Sequence, residues 1–418
     1  MEGKAPLERF SRCYFLPKSH RDDPTGRIII AVGRFRLQFS FCLLVAITAG
    51  AQPLRAPQPT APSSSPWTIQ TSYTTASLRG IHAVNAEIAW ASGTGGTILR
   101  TLDGGAHWQL CTTPPNAAKL DFRAIWAFDA RTAWAMSSGP GNLSRLYRTT
   151  DGCAHWKLLA TNGNPKGFWD AITFWSPEQG AILGDPVDGK FVVLLTEDGG
   201  RHWRRDHSAD LNIANRQLSA FAASNSSLLQ VSGASGNPQS FATGGPGGPV
   251  VFLSWTDCTV TLALGNPRAC LASRFSHYQQ VRVPMAGGTP SSGIFAWASH
   301  PLDVASKSLY APIIDIDVAV GGDYTKPNDP SGTAAWSTDG GVHWTAARKP
   351  PHGYRSTVAW DPANHAWITA GTNGSDISYD GGKAWHSLGN GNWNAISLPF
   401  IVGPNGRIGH LNPAALPK

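Results

Sequence analysis

Four aspartates lie in stretches where a carboxyl could hold or move a proton: Asp170 after Trp169, Asp185 and Asp188 in Gly184-Asp-Pro-Val-Asp188, and Asp323 in Gly321-Gly-Asp-Tyr324. Two such groups about 5 to 10 Å apart supply the acid and the base or nucleophile of glycoside hydrolysis. The competing reading makes Asp185 and Asp188 builders of a proline-containing turn and Asp323 a turn cap, because short carboxylates bond neighbouring backbone N–H groups. Three arginines, Arg79, Arg123 and Arg355, each precede a small residue. Converging on one cavity, they would make a forked anion site. Asn394 falls at the matching place in a later stretch, and Trp169 and Tyr324 offer aromatic faces beside these groups.

The elements that must position these residues are announced by a repeat. Asp103-Gly-Gly-Ala-His-Trp108, Asp151-Gly-Cys-Ala-His-Trp156, Asp198-Gly-Gly-Arg-His-Trp203, Asp339-Gly-Gly-Val-His-Trp344 and Asp380-Gly-Gly-Lys-Ala-Trp385 are one pattern in five copies. Their aspartates are spaced 48, 47, 141 and 41 residues apart, periods that fit a four-stranded propeller blade. Each copy lies between β-rich runs, as a hairpin turn should. The carboxylate takes backbone N–H bonds, Gly-Gly accepts positive φ, and the Trp folds its apolar face over the turn.

A second pattern marks the innermost strand of each blade: Leu78-Arg-Gly-Ile81, Phe122-Arg-Ala-Ile125, Trp169-Asp-Ala-Ile172, Leu218-Ser-Ala-Phe221, Gly293-Ile-Phe-Ala296, Tyr354-Arg-Ser-Thr357 and Trp393-Asn-Ala-Ile396. Seven matches predict an all-β, seven-bladed propeller. The 141-residue gap equals three periods and keeps a count of eight open. The fourth blade is swollen around Gly233 to Pro249, the fifth carries an insert near His300 to Pro312, and the seventh lacks a fourth strand that Trp67 to Tyr73 can supply. Aligning the residue before the small one puts Arg79, Arg123, Asp170, Ser219, Arg355 and Asn394 on one rung.

The repeat is the Asp-box, whose usual form is Ser/Thr-x-Asp-x-Gly-x-Thr-Trp, and the chain resembles Asp-box (bacterial neuraminidase repeat) propellers. Over roughly Trp67 to Leu411 it is most similar in texture to the photosystem II stability/assembly factor family, through the boxes, Gly353-Tyr-Arg-Ser-Thr-Val-Ala-Trp360 and Val402-Gly-Pro-Asn-Gly-Arg-Ile408. That resemblance implies an exported seven-bladed propeller that binds a polypeptide through an arginine-bearing surface, here Arg79, Arg123 and Arg355. Sialidases share the boxes but use an arginine triad and a tyrosine nucleophile assisted by glutamate. After the leader only Glu87, Glu178 and Glu197 remain, all reading as turn residues, and no Arg-Ile-Pro signature opens the propeller. Box aspartates and tryptophans therefore read as fold determinants. The four box histidines, one per blade, are too far apart to share a metal ion.

The 418 residues carry net charge +7, but residues 1–51 hold eight of the Lys/Arg and four of the Asp/Glu, leaving +3. Nucleic-acid binding has little electrostatic support from so balanced a chain. Arg34 and Arg36, the apolar run Leu37 to Ile47 and Ala49-Gly-Ala51 match a secretory signal peptide. Cleavage is expected near Ala51, followed by a Pro/Ser-rich linker over 52–66, a propeller over 67–412 and an extracytoplasmic location. A misassigned start near Val32 is the alternative for the long leader. In an oxidising compartment the remaining cysteines can pair: Cys258 with Cys270 is the preferred pair, Cys111 with Cys153 the second. No phosphate-cradling loop, Gly-x-Ser-x-Gly elbow or CxxC motif is present, so no cofactor or metal is expected. The reading is a monomeric, non-catalytic binding or assembly module, touching membranes only through a membrane-protein partner. The alternative is a secreted glycoside hydrolase or glycan-binding propeller using Asp170, Asp185, Asp188 and Asp323.

Overall fold

The structure, a computed structural model, describes residues 65–213, 216–230, 239–255, 277–301 and 315–417. The leader, residues 52–64 of the linker, Cys258, Cys270 and the insert beyond Pro301 lie outside the described residues.

After an opening strand β1 (Trp67–Gln70), the first blade runs β2 (Leu78–Ala83), β3 (Ala89–Gly93), β4 (Ile98–Thr101) and β5 (Gln109–Leu110). The second is β6 (Phe122–Ala127), β7 (Ala133–Ser137), β8 (Arg145–Thr149) and β9 (Lys157–Thr161), and the third β10 (Trp169–Phe174), β11 (Gly180–Val187), β12 (Lys190–Thr196) and β13 (Arg204–Arg205). The fourth holds β14 (Leu228–Gln230), β15 (Gln239–Thr243), β16 (Val250–Trp255) and β17 (His277–Arg282). The fifth holds β18 (Ser292–Pro301), β19 (Asp315–Asp323), β20 (Ala334–Ser337) and β21 (Thr345–Ala346), and the sixth β22 (Thr357–Asp361), β23 (Ala366–Gly371), β24 (Gly374–Ser378) and β25 (His386–Gly389). The seventh joins β26 (Ala395–Ser397), β27 (Phe400–Val402) and β28 (Ile408–Leu411) to β1, with Trp67 opposite Leu411 and Gln70 opposite Ile408. Seven four-stranded antiparallel sheets result. The fold is a seven-bladed all-β propeller, and eight blades are excluded.

The fourth blade departs from the expected pattern. Leu218 to Phe221 is not a strand, and Ser219 makes only an isolated bridge to Gly244, which also bridges Gly293. The inner strand forms ten residues later, at Leu228. Asn225, at φ 68°, turns the chain between them and bonds the Ile172 amide of the third blade.

Each hydrophobic core lies between neighbouring blades. Leu78 and Ile81 pack on Phe400 and Val402 across the join of first and last blades, and Ala124 and Trp134 pack on Ile172 and Phe174 across the second and third. Second strands are therefore covered on both faces: β3, β7 and β23 are buried along their whole length. That is why Ala89-Trp-Ala91, Ala133-Trp-Ala135 and Ala366-Trp367 show no polar alternation. Small residues let the blades approach, and one Trp per strand fills the wedge between them. Trp90, Trp134 and Trp367 are fully buried, and each large apolar side chain so covered contributes about 1.5–3 kcal/mol.

The five repeated turns join third strands to outer ones. Thr101 Oγ1 donates to Asp103 Oδ1 at 2.9 Å and accepts from Gly105 N at 2.9 Å, while His107 N donates to Asp103 Oδ1 at 2.9 Å. The same three contacts recur around Asp151, Asp198, Asp339 and Asp380. The hydroxyl of the second copy is Thr149. Histidine at the late position adds an Nδ1 contact to its own aspartate, 2.6–2.7 Å, and is 85–90% exposed. The N–H and side-chain bonds from His107 hold the Asp103 carboxyl down to about 2.

Cys153 occupies a left-handed position, φ 70°, that glycine fills in the other copies, and its sulfur is bonded to Cys111, which follows the outer strand of the first blade. The disulfide staples two neighbouring blades. Breaking it with Cys111→Ser and Cys153→Ser should cost about 2–4 kcal/mol in a denaturant titration. Cys111→Ala with Cys153→Gly should recover about 1 kcal/mol of that, since glycine carries no penalty at positive φ. Equal midpoints for the two double variants would refute the backbone part of this account.

Candidate functional site

One end of the channel opens into a cavity of about 440 Å³. Its wall is set by a bulge repeated at the start of the inner strands: pairing slips between Leu78 and Gly80, Phe122 and Ala124, Trp169 and Ala171, and Ile294 and Ala296. A bulge re-aims one side chain out of the alternating order. Here the bulged residues are Arg79, Arg123, Asp170 and Phe295, and all four line the cavity. Gly80 shows why a small residue follows: a Cβ there would stand 2.7 Å from Ser92 Oγ and 3.1 Å from the Arg123 carbonyl oxygen of the next blade.

The sixth blade has no such slip, and this corrects the placement of Arg355. Tyr354 and Ser356 face the cavity instead. Arg355 turns away, fully buried, with Nε donating to Asp376 Oδ2 at 2.7 Å, Nη1 to the Tyr354 carbonyl at 2.6 Å, and Nη2 also on Asp376. It is a structural ion pair and no part of an anion-binding face. Trp169 is corrected likewise, because it precedes the bulged residue and points into the core between second and third blades, 4% exposed. It borders a separate recess with Asn162 and Trp203.

Arg79 and Arg123 do converge. Arg123 Nε donates to Asp121 Oδ2 at 2.9 Å and Arg79 Nε lies 3.6 Å from Asp121 Oδ1, with both guanidinium side chains about a third exposed. Burial pushes Arg79 down, Asp121 opposes the shift and neighbouring Arg123 adds to it, as expected of like charges sharing one counter-ion. Asn394 lines the same cavity and donates to the Leu78 carbonyl at 2.7 Å, tying the last blade to the first. Tyr324 stands at the mouth, 51% exposed.

Of the four candidate carboxylates, two meet. Asp170 and Asp185 both line the cavity. Asp170 is 2% exposed and leaves Oδ2 without a partner, while the Asp185 amide donates to the Phe168 carbonyl at 3.0 Å. Asp185 Oδ1 accepts from Ala220 N at 3.0 Å. Burial and then repulsion from Asp185 drive Asp170 well above the usual carboxylate range, against the pull of Arg123. Burial lifts Asp185 to about 6. Asp188 and Asp323 stay outside. Asp188 sits at φ 52° in the β11–β12 turn, exposed beside Lys166 Nζ at 3.4 Å. Against the desolvation that would raise it, hydrogen bonds from Thr325 and Ser291 hold Asp323 low. Both serve turns.

A carboxyl with a raised folded pKa favours folding while protonated and loses that contribution as pH climbs through the folded value. For Asp185 the loss spans 3.8 to about 6. Denaturant midpoints of wild type and Asp185→Asn should therefore lie together at pH 4 and separate in the variant's favour at pH 8. A wild-type midpoint that does not fall between those pH values relative to the variant's would contradict the raised carboxyl.

Phe221, Phe295, Tyr354 and Asp121 belong to the site and were not picked out by residue type. The rung alignment held the signal for Phe295, which occupies the bulged position of the fifth blade. No group of three or more metal-ligating side chains occurs among the described residues.

No family model and no curated protein matches the chain. Among solved structures, it is similar to YCF48 bound to a D1 peptide, with a TM-score of 0.51 and 16% identity over 83% of this chain and 97% of that one. YCF48 from Cyanidioschyzon merolae gives 0.53 and 17% over 84% of this chain and 100% of that one. A GH74 xyloglucanase from Xanthomonas campestris gives 0.46 and 15% over 78% of this chain and 56% of that one. The likeness to the YCF48 structures is one of fold.

Proposed function

We propose that this chain is an exported, non-catalytic propeller that binds a polypeptide partner at the channel mouth, with Arg79 and Arg123 gripping an acidic group. The observation that carries the reading is the pair of third-exposed guanidiniums sharing the single carboxylate of Asp121. Two cations on one counter-ion retain donors for an incoming carboxylate. The family resemblance of the sequence and the fold shared with YCF48, solved with a D1 peptide bound, agree with a polypeptide ligand. The disulfide suits an oxidising compartment.

The test is retention of a polypeptide from the native envelope by the chain starting at Gln52, compared with Arg79→Gln/Arg123→Gln. The double variant should bind its partner at least about tenfold more weakly, the worth of one charge-assisted contact. Unchanged retention would rule the mouth out.

A glycoside hydrolase remains the second reading, favoured by the raised carboxyls of Asp170 and Asp185 in one cavity. Both belong to the third blade and occupy one corner of the wall. Reducing-sugar release by the wild type, lost in Asp170→Asn, would establish it and displace the binding role.

A further inference from the structure

We infer that the corner of the cavity holding Asp170 and Asp185 is a binding site for a primary alkylammonium group. On the binding reading above, its source is a lysine side chain of the partner; a free small amine is the other source of the same chemistry.

The geometry starts from an acceptor with no donor. Asp170 lines the cavity, and its Oδ2 is buried and bonds nothing in the protein. A buried polar atom so placed costs about 1–3 kcal/mol unless a partner reaches it. The charges around it count in the same direction. The carboxyls of Asp170 and Asp185 and the guanidiniums of Arg79 and Arg123 line the cavity, and Asp121 pairs with both guanidiniums. Asp121 already engages both guanidiniums, so the Asp170–Asp185 corner has no cation of its own once its carboxyls are ionised.

The remaining wall suits the rest of such a ligand. Phe221 and Phe295 stack with centroids 3.9 Å apart, and Tyr354 meets Phe295 edge-on at 4.8 Å. Aromatic faces beside carboxyls are how proteins recognise ammonium groups, the rings covering the carbon stem and attracting the charge. A four-carbon stem entering past Tyr324 would lie against these rings, with its N–H donors directed at Asp170 Oδ2.

Other charges bear on the pH dependence. Arg123 pulls on Asp170, Arg79 and Tyr324 act on Tyr354, and Ala220 N bonds Asp185. The raised carboxyls mean that a cation must displace a proton to bind. Ammonium affinity should thus rise as pH climbs through about 6, the value for Asp185.

The decisive experiment is calorimetric titration of the wild-type chain with n-butylammonium chloride at pH 5 and pH 8, in two buffers of different ionisation enthalpy. n-Butanol and n-butyrate serve as uncharged and anionic controls. Expected are binding of the ammonium alone, about tenfold tighter at pH 8, with net proton release. Asp170→Asn and Asp185→Asn should each weaken it about tenfold, whereas Asp323→Asn should not. Tighter binding of butyrate than of butylammonium, proton uptake, or unchanged affinity in a folded Asp170→Asn would overturn the site. If Asp170→Asn does not fold, the wild-type proton count and Asp185→Asn decide in its place. Nα-acetyl-lysine methylamide binding more tightly than butylammonium assigns the source to a polypeptide, and the reverse to a free amine. Because these probes are small molecules, failure here leaves polypeptide retention through Arg79 and Arg123 standing, and failure of retention leaves the ammonium site standing.

Discussion

Arg355→Ala should destabilise the propeller by about 3–5 kcal/mol, the cost of leaving a buried charge without its partner. Its guanidinium lies at 0% exposure among Asp376, Asn373, His352 and the Tyr354 carbonyl, so every face of the fork is used. Asp376, itself 1% exposed, would be left in the interior with only His352 Nδ1 at 2.7 Å. Arg355→Lys should rescue little, because an ammonium cannot reproduce a planar fork with several fixed donors. Arg79→Ala and Arg123→Ala, removing third-exposed side chains, should each cost less than about 1 kcal/mol. Urea unfolding followed by tryptophan fluorescence compares all four variants. Equal midpoints for Arg355→Ala and Arg79→Ala would remove the distinction drawn between a structural arginine and a surface pair.

Ring closure carries the second large effect. Trp67→Ala should cost about 3–5 kcal/mol, the usual range for deleting a buried aromatic. Trp67 is 3% exposed, donates from Nε1 to Ser375 Oγ at 3.0 Å, and meets Trp393 at 6.1 Å. It is therefore held by the sixth and seventh blades together. Truncation to a chain starting at Ser72 removes β1 whole, uncovering β28 along four paired residues. An unpaired edge invites intermolecular strand pairing, so that chain should form soluble aggregates by light scattering, while one starting at Ser65 stays monomeric. A monodisperse, cooperatively unfolding Ser72 chain would show that closure does not depend on β1.

The repeat made the architecture legible because its chemistry is local. Asp103, Gly105 and Trp108 lie within one turn, and each contact that fixes the turn spans four residues or fewer apart from the tryptophan's packing. The missing fourth strand of the last blade was legible for a related reason, as seven blades of equal strand number leave one apolar run unassigned at the chain's start. The Ala-Trp pattern of β3, β7 and β23 was equally available and marks the blade-to-blade cores.

Alignment carried the cavity only in part. Arg79, Arg123 and Asp170 were placed together by one rule, the residue before the small one. The rule held while the bulge recurred and failed at Arg355, where the strand begins two residues later, at Thr357, and has no pairing slip. A shift of one residue reverses the face of a strand, so an arginine aligned with two cavity residues became an interior ion pair.

What this sequence determined by itself is the set of blades, their turns and the small residues where strands crowd, all encoded within segments of about fifty residues that repeat. Only the tertiary structure decided which side chains share the channel mouth. Arg123 comes from the second blade, Asp170 and Asp185 from the third, Phe295 from the fifth and Tyr354 from just before the first strand of the sixth. Their burial, and with it the raised carboxyls and the partnerless oxygen of Asp170, exists only once the ring has closed and excluded water from that corner. Desolvation and repulsion between charges depend on distance through space, and separation along the chain does not encode that distance.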